Sequence, residues 1–274
     1  MAARIDLFDS TYGNFSERVL QAIREETFVR DIGQNSWLTA DDFDTFLGWL
    51  QLSPQHHVLE VASGSGGPAR YLASRAKCRV TGIDENSAGV TTATQSAADA
   101  RMTERVSFQL ADANAPLPFD TGQFDSLLCI DSMNHFPDRL AVLREWHRVL
   151  RPGGLAVFTD PVVITGPVTN DELALRSSIG LFVFAPPAVN EQLIAKAGFR
   201  LVRQQDVTAS AALVSGRWYA ARQRHREALL EIEGKDQFTG LQRFFWAVHR
   251  LTHEKRLSRI VYLAEKVVGH PVRE

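Results

Sequence analysis

From position 58 onward, short apolar runs alternate with helix-like stretches, and that alternation restricts the chain more than any other feature. The runs cover residues 58–62, 79–83, 106–110, 124–130 and 155–159. Helix-like segments follow the first, second and fourth, as expected of parallel strands, which a tight turn cannot join and a crossover can. The expected core is α/β and doubly wound. Residues 199–207 and 257–264 would supply a sixth and a seventh strand.

Helical patterns flank this core. Two periodic stretches, 15–30 and 39–50, come first, and Thr39 and Asp42 are spaced like an N-cap and its N3 acid. A third, 138–150, runs into Pro152, Gly153 and Gly154, which should end the helix and turn the chain into the fifth strand. Residues 162–187 exceed an ordinary connection and carry Ile179, Leu181, Phe182, Val183 and Phe184, so a helical insertion is expected there. A helix over 188–197 stopped by Gly198 and helices over 216–232 and 238–253 complete the reading. The expected organisation is a helical lid over 1–52, a core over 53–210, and C-terminal helices with the last strand over 211–274.

Composition narrows the partners. A chain of 274 residues with a formal charge of −2 offers no bulk attraction to a polyphosphate, so a small molecule is a better partner than nucleic acid. With 45% apolar and 23% charged residues the chain reads as an ordinary globular protein, expected as a monomer or homodimer. Cys78 and Cys129 alone make neither a disulfide framework nor a zinc site, so no metal is expected. Arg4, Asp6 and Asp9 interrupt the amino-terminal stretch, and no window approaches a membrane span; a cytoplasmic location is the expectation.

The run from Val58 to Gly67, VLEVASGSGG, is an apolar strand ending in a glycine-rich turn before a helix. Such a turn lets a ligand approach the backbone, and the helix start leaves outward amides. The second strand ends at Asp84, roughly 20 residues on, where an acid can accept both hydroxyls of an adenosyl ribose. Gly64 to Ala69 also satisfies a dinucleotide fingerprint, which leaves the cofactor open at this point.

Two further segments bear on that choice. Asp112, Ala113 and Asn114 precede a proline-rich stretch and the Gln123-Phe124-Asp125 opening of the fourth strand, and Leu150-Arg151-Pro152-Gly153-Gly154 precedes the fifth. Taken in order, the set resembles the class I S-adenosylmethionine-dependent methyltransferase family, over roughly residues 58–207. The resemblance implies a Rossmann-like, mostly parallel seven-stranded sheet, with S-adenosylmethionine as cofactor and S-adenosylhomocysteine as product. It further implies that Glu60 orders the turn or meets the methionine amino group, that Ala62 and Gly64 line the methionine portion, and that Ser63 and Gly66 contact the cofactor from the same turn. Ala62 stands where the family usually has its first glycine. Asp84 would take the ribose, Asp112 the adenine amino group, and the Ala113 amide the ring. Segment 33–39 is similar to the lid of small-molecule methyltransferases of the sarcosine, phosphoethanolamine and sterol or terpenoid type, which implies a cofactor contact for Trp37 and a closing role for Tyr12.

After the fourth strand comes Asp131-Ser132-Met133-Asn134-His135, the connection that in the family faces the sulfonium methyl. An imidazole there can take the acceptor's proton, which makes His135 the candidate base and Asp131 a catalytic or cofactor contact. A histidine bonded to a turn backbone is the competing reading. Phe182, Phe184, Trp218, Tyr219, Phe244, Phe245 and Trp246 offer aromatic surface to an acceptor, although helical spacing also suits a core. Arg217, Arg222, Arg224, His225 and Arg226 read as a solvated helix face. Three alternatives remain: a nicotinamide-dependent oxidoreductase, a hydrolase using Ser65, and a protein that binds S-adenosylmethionine without transferring its methyl.

Overall fold

A computed structural model describes residues 7–267. Residues 1–6 of the amino-terminal stretch and 268–274 of the tail lie outside them. Two helices, α1 (Phe8–Gly13) and α2 (Arg18–Thr27), are followed by α3 (Ala40–Leu50). Thr39 caps α3 as its sequence suggests, its hydroxyl accepting from the Asp42 amide at 3.1 Å. The core then runs β1 (His57–Val61), α4 (Gly67–Ala76), β2 (Arg79–Asp84), α5 (Ser87–Asp99), β3 (Val106–Leu110), β4 (Phe124–Cys129), α6 (Arg139–Val149) and β5 (Leu150–Ile164). A short helix α7 (Asn170–Arg176), then α8 (Val189–Lys196), β6 (Phe199–Asp206), α9 (Thr208–Arg224), α10 (Arg226–His253) and β7 (Leu257–Lys266) complete the described chain.

The seven strands form one sheet in the order β3-β2-β1-β4-β5-β7-β6. Strands β1 to β5 pair in parallel, and β7 is antiparallel to both β5 and β6. Strand order reverses between β1 and β4, so a crevice opens beyond their carboxyl ends, the usual ligand position in such sheets. Alternation along the strands fills both faces. Leu59, Val61, Leu127, Phe158 and Tyr262 pack on one side with Trp146 of α6, while Val58, Leu128, Val157 and Val261 pack on the other with Phe43, Phe46 and Leu72. A separate cluster of Ile23, Trp37, Trp218, Phe244 and Phe245 joins α2 to α9 and α10.

Three expectations fail in detail. The Pro152-Gly153-Gly154 segment is a bulge within β5 and not a connection before it: Phe124 pairs with Leu150 but Ser126 with Leu155, and the intervening residues loop out with Gly153 at φ +78°. The insertion is helical only over α7; beyond it the chain is extended, with Val183 donating to the Asn134 carbonyl at 2.8 Å and Ala185 bridging to Val163. The tail helices begin earlier than the apolar pattern suggested, at Thr208, and the gap expected at 233–237 is only a break at Gly234, whose φ of +75° no helix accommodates.

Candidate functional site

The turn after β1 is built from left-handed residues: Ala62, Gly64 and Gly66 have φ of 57°, 52° and 73°. Ala62 adopts there a conformation natural to glycine, the position at which the sequence departs from the family pattern. A side chain at Gly64 would stand 2.8 Å from the Tyr12 hydroxyl, so glycine allows α1 to close over the turn. Gly66 has another role. A Cβ on it would meet Phe108 and lie 2.8 Å from that of Ala93, so Gly66 allows close helix-to-sheet packing, and unlike Gly64 it does not border the cleft.

Acids from two strand ends hold the turn. Asp84, at the end of β2, accepts from the Gly64 amide and the Asn86 amide, both at 2.8 Å, while burial pushes its carboxyl up. Glu60 is buried beneath the turn. Burial first, and the neighbouring Asp84 charge second, push its carboxyl up to about 8 against the opposing hydrogen bond from the Ala69 backbone. Its Oε2 has no hydrogen-bond partner, nor has Ser63 Oγ or Asn35 Oδ1. These orphaned atoms border one space, and the set fits the ammonium and carboxylate of a methionine tail.

The cleft has two halves, about 930 and 1690 Å³ with their open mouths included, each sufficient for a ligand. The larger is bordered by Asp84, Asp112, Ala113 and Asn114, the strand-end residues assigned to adenosine from the sequence. The Asp112 carboxylate is exposed and accepts from the Asn114 amide at 2.8 Å. The smaller half holds the orphaned tail atoms and an aromatic wall of Phe182, Trp218, Phe244 and Phe245. Tyr12, Ala62, Ser132 and His135 border both. Of the seven aromatics singled out in the sequence, Phe184, Tyr219 and Trp246 stand outside the cleft.

His135 ends a single 3-10 turn after β4 (Met133–His135). Its Nδ1 lies 2.9 Å from the Leu181 carbonyl, and its ring meets Phe8 and Phe182 edge-on. A carbonyl only accepts, so the neutral ring carries its proton on Nδ1 and its lone pair on Nε2. The backbone bond, read from the sequence as a rival to catalysis, is what selects the basic tautomer.

Asp131 borders the smaller half of the cleft, where a contact to cofactor or acceptor was expected, and its oxygens are already engaged. Its Oδ1 accepts from Thr159 Oγ1 and Arg259 Nε, both at 2.7 Å, and its Oδ2 from the Trp37 amide at 2.9 Å. With both oxygens engaged and a buried guanidinium beside it, the carboxylate fastens segment 33–39 to the sheet. The Trp37 ring packs 6.1–6.5 Å from Trp218, Phe244 and Phe245, and it borders the half of the cleft that holds the orphaned tail atoms and not the adenosine half.

Other assignments resolve simply. Ser65 accepts from Asn35 Nδ2 at 3.1 Å and faces the Gly33 carbonyl, with no imidazole of the described residues bonded to it to activate a nucleophile. Of the basic run read as a solvated face, Arg224 and Arg226 are exposed, with Arg224 and His225 binding Glu26 of α2, whereas Arg222 turns inward to a buried ion pair with Glu233. Sequence reasoning passed over Asn134 and Arg176, both buried and both bordering the aromatic half. Asn134 adjoins His135 and was within reach; an arginine on a short helix gives no signal.

Known proteins bear on the same residues. A methyltransferase-domain family profile matches residues 59–158. The 27-O-demethylrifamycin SV methyltransferase of Amycolatopsis mediterranei is 30% identical over 81% of this chain and 82% of its own length. Methyltransferase GfsG of Streptomyces halstedii is 36% identical over 58% of each chain, so the match spans little more than half of that relative. A crystal structure of a putative sarcosine dimethylglycine methyltransferase from Galdieria sulphuraria superimposes with a TM-score of 0.76 at 17% identity, over 84% of this chain and 85% of that one. That last likeness shows the fold; the sequence relatives show the family. With the strand-end acids and the glycine turn arranged around one crevice, the chain belongs to the class I S-adenosylmethionine-dependent methyltransferases.

Proposed function

We propose that this enzyme moves the methyl group of S-adenosylmethionine to an oxygen, nitrogen or carbon atom of a small molecule held in the aromatic half of the cleft. When bound, the cofactor supplies an electrophilic methyl on a sulfonium. Asp84, Asp112 and the Ala113 amide hold the adenosine portion, and Glu60, Ala62, Ser63 and Gly64 hold the methionine portion. His135 takes the acceptor's proton at Nε2, and α1 with Tyr12 excludes water. Asp131 is a positioning residue, keeping segment 33–39 against the sheet.

The observation that carries the reading is the place of His135: it borders both halves, with the Leu181 carbonyl fixing its basic tautomer. The relatives named above support a small-molecule acceptor. Calorimetry with S-adenosylhomocysteine and with reduced nicotinamide nucleotides tests the cofactor, and tight binding of the nucleotides alone would remove the reading. With an acceptor in hand, His135→Ala should lower kcat by about 10²–10⁴-fold while leaving S-adenosylhomocysteine affinity within about twofold. Unchanged kcat would leave His135 a turn histidine.

A further inference from the structure

The aromatic half of the cleft contains a charge with nothing to neutralise it. Arg176, the last residue of α7, is 2% exposed, and its Nη1 is buried without a hydrogen-bond partner. No carboxylate of the described residues lies within ion-pair distance of it. Its guanidinium carbon instead stands 4.7, 5.3 and 5.9 Å from the ring centroids of Phe182, Phe244 and Trp37. Burial pulls its pKa down to about 9, with Asp131 and Asp160 opposing from a distance, and the group remains a cation at neutral pH. Asn134 borders the same space, 1% exposed, with both Oδ1 and Nδ2 unpartnered.

The molecule's other buried guanidiniums are treated differently. Arg139 meets Asp160 and Asn190, Arg222 meets Glu233, and Arg259 meets Asp131. A buried charge left unpaired is costly, and cation–π contact alone replaces little of the lost hydration. A guanidinium that remains charged in such a place is completed by a ligand.

We propose that Arg176 and Asn134 form the anchor of the acceptor site, selecting small molecules that carry an anionic oxygen group, a carboxylate or a phosphate, next to an apolar or aromatic body. The guanidinium fork takes two oxygens of the anion, the Asn134 amide donates to it, and the rings of Phe182, Phe244 and Trp37 cover the rest. The anion is the handle and not the methylated atom, which must lie toward His135. Arg176 belongs to α7, which packs on α10, so it serves the acceptor wall and not the glycine turn that would receive the cofactor's own carboxylate. The inference rests on the methyl-transfer reading for the purpose of the ligand.

The test uses the full chain saturated with S-adenosylhomocysteine and a panel of matched probes: benzoate, 1-naphthoate and indole-3-acetate, each with its amide, plus phenyl phosphate with phenol. Binding is read from tryptophan fluorescence, since Trp37 and Trp218 border the site, and from thermal shift. At least one acid is expected to bind ten or more times tighter than its uncharged counterpart, and Arg176→Met and Arg176→Gln should erase that preference. Both variants should bind S-adenosylhomocysteine as the parent does, and Arg176→Met without ligand should melt no lower than the parent, because a structural arginine would be missed and an unpaired one would not. Preference for carboxylates or for phenyl phosphate names the anion. Equal or absent binding of every charged and uncharged pair overturns the proposal. Loss of S-adenosylhomocysteine affinity in the Arg176 variants equally overturns it, assigning the charge to the cofactor. Failure of the parent to bind S-adenosylhomocysteine, read in the first titration, instead sinks the methyl-transfer reading.

Discussion

The two walls of the cleft satisfy their polar groups in opposite ways. On the strand-end wall Asp84 is held by two backbone amides and Asp112 by its own loop, so both carboxylates keep their positions without a ligand. On the aromatic wall Arg176 and Asn134 keep donors and acceptors that nothing in the described chain meets. The first wall is preorganised for a fixed cofactor, while the second is completed by its occupant. Asp131 lies where they join, linking β4, β5, β7 and segment 33–39 in one network.

Cutting that joint should have the largest consequence. Asp131→Ala removes three hydrogen-bonded partners at once and leaves Arg259, wholly buried, without its closest counter-charge. Breaking one side of a buried pair costs about 3–5 kcal/mol, so the variant should show that loss in urea unfolding. Segment 33–39 should also exchange its amide hydrogens faster. A loss under about 1 kcal/mol would mean that the segment is held by its apolar contacts, and the division between the walls would lose its hinge.

The glycine turn between the walls should respond to pH through Glu60. Its native pKa, about 8, is raised above the 4.5 of the unfolded chain. Between those values the native state retains a proton that the unfolded state has released, so the stability Glu60 contributes is fully present below about pH 4.5 and is lost as pH rises toward 8. Glu60→Gln should flatten that fall, a difference of a few kcal/mol between pH 5 and pH 8.5 on the linkage scale of about 1.4 kcal/mol per unit. Thermal unfolding of both proteins across this range checks it. Identical slopes would place the burial penalty elsewhere.

What the sequence disclosed divides along the same line. Asp84, Asp112 and the turn at 62–66 were legible because parallel strands deliver their carboxyl ends to one edge in chain order, so position along the chain becomes position in space. The capped start of α3 at Thr39 was legible because a cap is made within four residues. Arg176 was not: its burial depends on Trp37 and Phe244, which lie 139 residues before it and 68 after it in different helical layers. The partners of Asp131 were hidden for a related reason, since they are Arg259 and the Trp37 amide, neither near it in the chain. Pro152-Gly153-Gly154 was correctly taken as a bend, but whether a bend interrupts a strand or precedes it depends on the partner strand's register.

The smallest effect tests the aromatic wall without touching it. Helix α7 is only seven residues long, too short to persist alone, and it starts with a full capping box in which Thr169 Oγ1 accepts from the Glu172 amide and Glu172 returns to the Thr169 amide. Arg256 grips Glu172 at 2.7 and 2.8 Å, so the helix start is fixed while its far end carries Arg176 into the cleft. Thr169→Ala removes the cap at a cost of about 1 kcal/mol, enough to fray α7 but not to unfold the sheet. Because Thr169 contacts neither half of the cleft, the variant should bind S-adenosylhomocysteine unchanged while its affinity for an anionic probe weakens by about fivefold, and Thr169→Ser should restore it. If both ligands weaken together, the walls are one cooperative unit. If neither does, Arg176 is held by its rings alone, and the aromatic wall is as preorganised as the strand ends opposite it.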